Sequence, residues 1–259
     1  MHMPKNKFRQ ALLSGQPLYG LWQGIPSTTS AEICAGAGFD WLVIDGEHSP
    51  IDLQQMLAHL QAVAPYDVAP IVRPVMGTAA IVKQLLDIGA QTLLIPMIET
   101  AAEAEEMVRA TRYPPDGVRG VGAALARASR WTHVGEYVKY ANDEVFLIVQ
   151  IESRAALDNL DEILLVDGVD SVFIGPADLS ASLGHPGNPG HADVQSAITD
   201  ALAKIRSAGK FAGILSSTNN DVEKNIARGA HYVGVGIDVV VLASGVRALV
   251  KQYKNEENS

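Results

Sequence analysis

A short, unbroken apolar run followed by an amphipathic segment recurs eight times along this chain, and that alternation most limits what it can fold into. The runs WLVI, TLLI, FLIVQI, SVFI and FAGIL show none of the in-out alternation of a half-exposed sheet. They read as parallel strands covered on both faces. Strands are expected at residues 20–25, 41–44, 70–73, 92–96, 146–151, 171–175, 211–215 and 232–235. Between them, Leu53, Met56, Leu57, Leu60 and Val63 recur at helical spacing within 52–64. Ile81, Leu85 and Ile88, then Leu157, Leu160, Ile163 and Leu164, do the same. Gly38, Gly89, Gly209 and Gly229 stand where helices end before the next strand. Eight strand–helix units in 259 residues point to a single-domain (β/α)8 TIM barrel over 1–259, with a frayed polar tail at 255–259. A doubly wound open sheet is the alternative, but no GxGxxG follows the first strand and no P-loop occurs.

Charge and composition remove several function classes. With Lys plus Arg at 20 and Asp plus Glu at 29, the net charge is −9, which disfavours a nucleic-acid backbone as partner. No apolar run reaches the roughly 18 residues of a membrane span, and the start MHMPKNKFRQ lacks a signal-peptide core. The single cysteine, Cys34, fits a reducing cytoplasm.

A barrel does its chemistry at the C-terminal ends of its strands. There the sequence places Trp22 and Gln23, then Asp45, Glu47 and His48 in WLVIDGEH, then Arg73, then Gln150 and Glu152 in VQIES. Asp178 follows in GPADLS, and Ser216 and Ser217 follow the seventh strand. Glu152 lies in an apolar strand, where an unpaired carboxylate is costly, so a metal or cationic partner is expected. Glu152 and Asp178 are oxygen ligands from adjacent strands and suit Mg²⁺ or Mn²⁺ better than zinc. Pro176 opens a helical turn whose next amides, of Ala177 and Asp178, are free to bind a carboxylate. None of the lysines falls at an expected strand C-terminus, which argues against a Schiff-base enzyme. The connections after the fourth and sixth strands are long and are expected over the active face. The first of them carries Arg109, Arg112, Arg119, Arg127 and Arg130, which either form ion pairs or read a distal substrate carboxylate.

The segments AGAGFDWLVIDGEHSP, IVRP, QLLDIGAQTLLIPM, RYPPDGVRGVGAALARASRW, VQIES and VFIGPADLSASLG together resemble the HpcH/HpaI aldolase family over most of residues 10–250. The resemblance implies a divalent-metal (class II) pyruvate aldolase that cleaves 4-hydroxy-2-oxo acids reversibly. Its substrate would be 4-hydroxy-2-oxoheptanedioate, giving pyruvate and succinate semialdehyde, with hydroxypyruvate and other aldehydes also accepted. It assigns His48 as base, Asp45 as its orienting partner and Arg73 as enolate stabiliser. Gln150, Trp22 and Leu215 would contact or line the substrate. Glu152 and Asp178 would hold Mg²⁺, Mn²⁺ or Co²⁺, and the amides of Ala177 and Asp178 the pyruvate carboxylate. Asp87 would act from a neighbouring subunit. A homohexamer, built as a trimer of dimers with the eighth helix (237–253) swapped, is also implied. That helix is apolar over most of its surface, which fits a subunit contact or a large core. A sugar-acid (2-keto-3-deoxy acid) aldolase, an acyl-CoA lyase and a non-catalytic metabolite-binding barrel stand as alternatives.

Overall fold

The computed structural model describes residues 1–216 and 218–254. The strands are β1 (Leu18–Gln23), β2 (Trp41–Asp45), β3 (Ala69–Arg73), β4 (Thr92–Ile95), β5 (Phe146–Ile151), β6 (Ser171–Ile174), β7 (Phe211–Leu215) and β8 (Tyr232–Ile237). All neighbours are parallel, and β8 pairs back to β1, closing the barrel in sequence order. The helices are α1 (Lys7–Leu12), α2 (Thr28–Ala35), α3 (Leu53–Ala62), α4 (Ala79–Asp87), α5 (Ala101–Thr111), α6 (Tyr137–Tyr140), α7 (Arg154–Asp158), α8 (Leu160–Leu165), α9 (Pro176–Ser182), α10 (Ala192–Ser207), α11 (Asn219–Arg228) and α12 (Asp238–Tyr253). β5 and β7 coincide with their expected spans. β1 stops at Gln23 because the next two amides, of Gly24 and Ile25, bond the Asp238 carboxylate at 2.8 and 3.2 Å instead of a strand. Gly38, Gly89, Gly209 and Gly229 all have positive φ, as expected of helix-terminating glycines.

Two apolar layers result. Strand residues facing outward, such as Ile44, Val72, Leu93, Val149 and Val172, pack with Leu85, Met107, Ile163, Ile198 and Leu202 of the helices. Residues facing inward, Trp22, Trp41, Ile71, Phe146, Phe173 and Tyr232, fill the barrel. Phe8 of α1 plugs the N-terminal end, edge-on to Tyr232 at 5.0 Å and to Phe146 at 5.5 Å between centroids. This interior admits its large rings only because the neighbouring strand supplies glycine at the paired position, Gly20 beside Trp41 and Gly213 beside Tyr232. A Cβ on Gly20 would overlap the Trp41 ring, and one on Gly213 the Tyr232 ring.

The long connection after β4 departs from expectation. α5 follows β4 almost directly, and the extra residues, 112–145, come after α5 and so lie at the N-terminal end of the barrel. There Arg127 donates to Ile88 O (2.9 Å), while Asn6 N–H donates to Glu144 (2.8 Å) and Arg9 to Val145 O (2.6 Å). Connection length alone does not reveal on which side of the helix an insertion falls. The arginines of this segment therefore do not line their own chain's active face. The connection after β6 does begin on that face, with α9 and the loop 183–191 preceding α10.

α12 is not a core helix of its own chain. Only Asp238 is buried, while Val240, Val241, Leu242 and Leu249 are more than half exposed. Among the described residues, no helix is long and apolar enough to cross a membrane.

Overpacked cores typically lose about 1–3 kcal/mol. Gly20→Ala and Gly213→Ala are each expected to lower unfolding stability by at least that amount, read as a reduced denaturant midpoint at unchanged slope. A midpoint unchanged in both variants would show that the rings relax freely.

Candidate active site

Every strand of a closed parallel barrel ends on the same face, so side chains far apart in sequence meet there. β2 and β3 pair in the register Asp45↔Arg73, which sets the first element of the mouth. Arg73 donates to both Asp45 oxygens, from Nε to Oδ1 (2.9 Å) and from Nη2 to Oδ2 (2.8 Å). Its Nη1 lies 2.6 Å from Glu47 Oε2 in an ion pair, and its guanidinium sits 5.2 Å from the Trp22 ring centroid. A planar fork held bidentately is a fixed, directional donor. Asp45 also accepts the backbone N–H of Glu47 (3.0 Å) and, at 3.5 Å, of His48. Asp45 thus shapes the His48 backbone turn and binds Arg73. The His48 ring is instead nearest Glu47, with Nε2 3.8 Å from Oε2, and is 65% exposed at the rim.

β5 supplies the buried acid. Glu152 is 3% exposed. It accepts the Met97 N–H (3.0 Å) on one oxygen and the Gln150 side-chain amide on the other. Met97 has φ 55°, so its amide is turned toward the carboxylate by an unusual backbone conformation. Gly175 is closely apposed, and a Cβ there would overlap Glu152. Burial raises the Glu152 carboxyl above the ordinary range, the two hydrogen bonds oppose this, and the charges of Glu47 and Asp178 push it further up. Glu47 is likewise raised, by burial first, against the opposing pull of Arg73 and His48. The Gln150 Oε1 and Glu47 Oε2 atoms are buried and take no hydrogen bond within the described residues.

Asp178 stands exposed in the first turn of α9, as does Ala177. Their amides precede the first bond of the helix, Leu179 N–H to Gly175 O at 3.0 Å. Leu215 ends β7 and packs with the inner cluster containing Trp22. Ser216 is drawn outward to Asn225, at 3.0 Å, and Ser217 lies outside the described residues.

Asp87 ends α4, at the barrel end opposite the mouth. It accepts from Arg119 (2.7 Å), which stacks at 4.3 Å over the Tyr113 ring. Its position does not bring it to its own chain's site.

The sequence places Glu47 at the mouth but assigns it no role, and it does not point to Met97 as a backbone donor. Glu47 was legible in the motif DGEH, two positions beyond Asp45. Nothing in the sequence marks the Met97 conformation.

The mouth sets four carboxylates, Asp45, Glu47, Glu152 and Asp178, against one guanidinium. An all-oxygen donor set with excess negative charge fits a hard divalent cation. Among the described residues no three ligand atoms of the mouth converge within 4.8 Å, so substrate and water oxygens would complete such a shell.

Barrel, strand-end acids and helix-start amides define a (β/α)8 enzyme with a site suited to a hard cation and an oxyacid. The HpcH/HpaI aldolase/citrate lyase family profile matches residues 18–244. A hydroxypyruvate/pyruvate aldolase of Pseudomonas aeruginosa is 55% identical over 254 residues, 98% of this chain and 95% of that protein. A 4-hydroxy-2-oxo-heptane-1,7-dioate aldolase of Klebsiella pneumoniae is 56% identical over 248 residues, 96% of this chain and 94% of that protein. A crystal structure of an HpcH/HpaI aldolase/citrate lyase family protein from Burkholderia cenocepacia superposes with a TM-score of 0.91. It is 38% identical and covers 96% of this chain and 99% of that one. The chain belongs to the HpcH/HpaI aldolase/citrate lyase family. It is a carbon–carbon lyase of the aldolase type.

The raised Glu152 carboxyl has a stability consequence. Ionising it costs more in the folded than in the unfolded chain, so stability declines as pH rises from the ordinary carboxylate range toward the folded value. Glu152→Gln removes that loss, and the orphaned Gln150 Oε1 can accept the new amide N–H. The metal-free variant is expected to melt above the parent at pH 7, with the difference vanishing by about pH 4. A variant that melts lower at pH 7 would show that the carboxylate is already compensated.

Proposed function

We propose that this chain is a divalent-cation-dependent pyruvate aldolase that reversibly cleaves 4-hydroxy-2-oxo acids into pyruvate and an aldehyde. 4-Hydroxy-2-oxoheptanedioate, yielding succinate semialdehyde, is the leading substrate. Hydroxypyruvate is a second donor, because the proposed site reads only the 2-oxo-acid end. The observation that carries this reading is the buried, uncompensated Glu152 beside Gln150, with Asp178 close enough to perturb it.

In this reading Glu152 and Asp178 hold Mg²⁺ or Mn²⁺, with Co²⁺ as a substitute. Lewis-acid polarisation of the 2-oxo group is the chemistry such a cation supplies when bound. The amides of Ala177 and Asp178 orient the pyruvate carboxylate, and Gln150 contacts the substrate. Trp22 and Leu215 line the pocket. Arg73 spends two of its five N–H groups on Asp45 and meets Glu47 as an ion pair, which leaves N–H groups on both terminal nitrogens for the oxygen that becomes the enolate. His48 takes the C4 hydroxyl proton. The O–H electron pair forms the aldehyde carbonyl, the C3–C4 bond breaks, and its electrons form the C2–C3 double bond of the enolate. A proton then returns to C3. Imidazole exchanges protons readily near neutrality, which suits both transfers.

The same reading makes the working unit a homohexamer, a trimer of dimers with α12 exchanged, in which Asp87 serves a neighbour's mouth. Support comes from the exposed apolar face of α12 and the far-end position of Asp87. A cytoplasmic location accords with the free, buried Cys34. The partners are small molecules, not nucleic acid.

Chelation is expected to abolish pyruvate release from 4-hydroxy-2-oxo acids, and Mg²⁺, Mn²⁺ or Co²⁺ to restore it. Lysine labelling by borohydride with pyruvate would overturn the mechanism. His48→Ala should lower kcat by about 10²–10⁴-fold while cation affinity holds. Retained deuterium exchange into the pyruvate methyl group would place His48 at the aldehyde oxygen alone, and an unchanged kcat would remove it from the reaction. Asp87→Asn and His48→Ala chains, each impaired alone, should regain activity when dissociated and reassembled together. No recovery would confine Asp87 to its own chain.

A further inference from the structure

We propose that His185, His191 and Asp193 form a second cation site, for a borderline transition-metal ion of the Zn²⁺ type, distinct from the carboxylate centre. Its side chains come from the loop after α9 and the first turn of α10, and the site stands whether or not the aldolase reading does. The loop folds back on itself through His185 N–H to Ser180 O (2.8 Å), Asn188 N–H to His185 O (3.0 Å) and His191 N–H to Asn188 O (3.1 Å). Gly184 (φ 88°) and Gly187 (φ 73°) take the left-handed conformations those turns need. As a result two imidazoles six positions apart stack with centroids 3.5 Å apart and planes 14° from parallel.

Asp193 completes the group. Its Oδ2 lies 3.2 Å from His185 Nε2 and 3.6 Å from His191 Nδ1. Ligand atoms of all three residues lie within 4.8 Å of one another. Zinc bonds of about 2.0–2.2 Å in tetrahedral geometry put neighbouring ligand atoms about 3.3–3.6 Å apart, close to the spacings to Asp193. Two nitrogens and one carboxylate oxygen favour Zn²⁺, Co²⁺ or Ni²⁺ over Mg²⁺, the reverse of the mouth's preference. Asp193 is 72% exposed, so ions reach the site from solvent and water can take the fourth position.

Three costs oppose binding, the first being that stacked rings aim their in-plane lone pairs nearly parallel, so one imidazole must rotate before both nitrogens meet one ion. The Asp193 N–H now donates to His191 Nδ1 (3.2 Å) and would turn to water, as amides at helix starts do. The positive end of the α10 dipole disfavours a cation, and the Asp193 charge offsets it. Once bound, the ion clips the loop to α10. That segment starts at α9, whose first turn carries Asp178.

The test counts zinc on metal-free protein by equilibrium dialysis. His185 caps α9 only through its backbone N–H, which any residue keeps, so His185→Asn should keep the parent's circular dichroism and melting profile. It is expected to bind one Zn²⁺ equivalent fewer per chain, or to bind that equivalent at least tenfold more weakly, and Asp193→Asn should behave alike. Glu152→Gln should retain this equivalent while losing any held at the mouth. Parent-like stoichiometry and affinity in both His185→Asn and Asp193→Asn would overturn the proposal. Loss of all zinc in Glu152→Gln alone would do so as well.

Discussion

Because β1 pairs with both β2 and β8, the sheet has no edge, and because every pairing is parallel its eight strands share one polarity. That closure is the constraint on which the molecule depends. It forces the inward side chains into a space wide enough for Trp41 and Tyr232 only where Gly20 and Gly213 are their partners on the adjacent strands. It also delivers Asp45, Arg73, Gln150 and Glu152 to one mouth, though none is near the next pair in sequence. The interior beneath that mouth is lined by large apolar rings, so charges at the strand ends rest on a low-dielectric floor.

The electrostatics of the mouth follow from that floor. Arg73 is the cation paired with its acids, and burial with bidentate bonds to Asp45 fixes its orientation. Glu47 shares the same guanidinium, whereas Glu152 has only neutral donors, Gln150 and the Met97 amide. Neutral dipoles hold a carboxylate in place but do not balance its charge. Breaking Arg73 away would leave three further buried or half-buried acids facing one another, so the pair's value is as much organisational as cohesive.

The fold was legible because covered parallel strands leave near-continuous apolar runs, and FLIVQI and FAGIL marked β5 and β7 to the residue. Strand-end acids were legible because charge in such a run is conspicuous. What escaped the sequence depended on backbone geometry or on chain direction. The Met97 conformation has no side-chain signature. The pairing of Asp45 with Arg73 rather than with the His48 ring arises from β2–β3 register, which no local pattern encodes. The insertion after β4 was misplaced because its length is visible and its side of α5 is not. The arginines it carries belong to the opposite end of the barrel as a consequence.

That placement gives the molecule two unlike ends. The mouth carries the excess negative charge and is where the proposed small-molecule chemistry falls. The far end carries Asp87, Arg119 and the cluster around Tyr113 and Tyr137, a group elaborate enough to be more than a loop closure. Arg119 is buried, stacked and bonded to an acid that remains a quarter exposed. A fully buried guanidinium spent on presenting one partly open carboxylate is costly for a lone chain. It makes sense if that carboxylate meets another surface. α12 presents the same problem in apolar form, because its valines and leucines stand in water when the chain is alone. In the proposed hexamer both surfaces would be covered, the Asp87 carboxylate by a neighbour and the α12 face by the subunit that exchanges it.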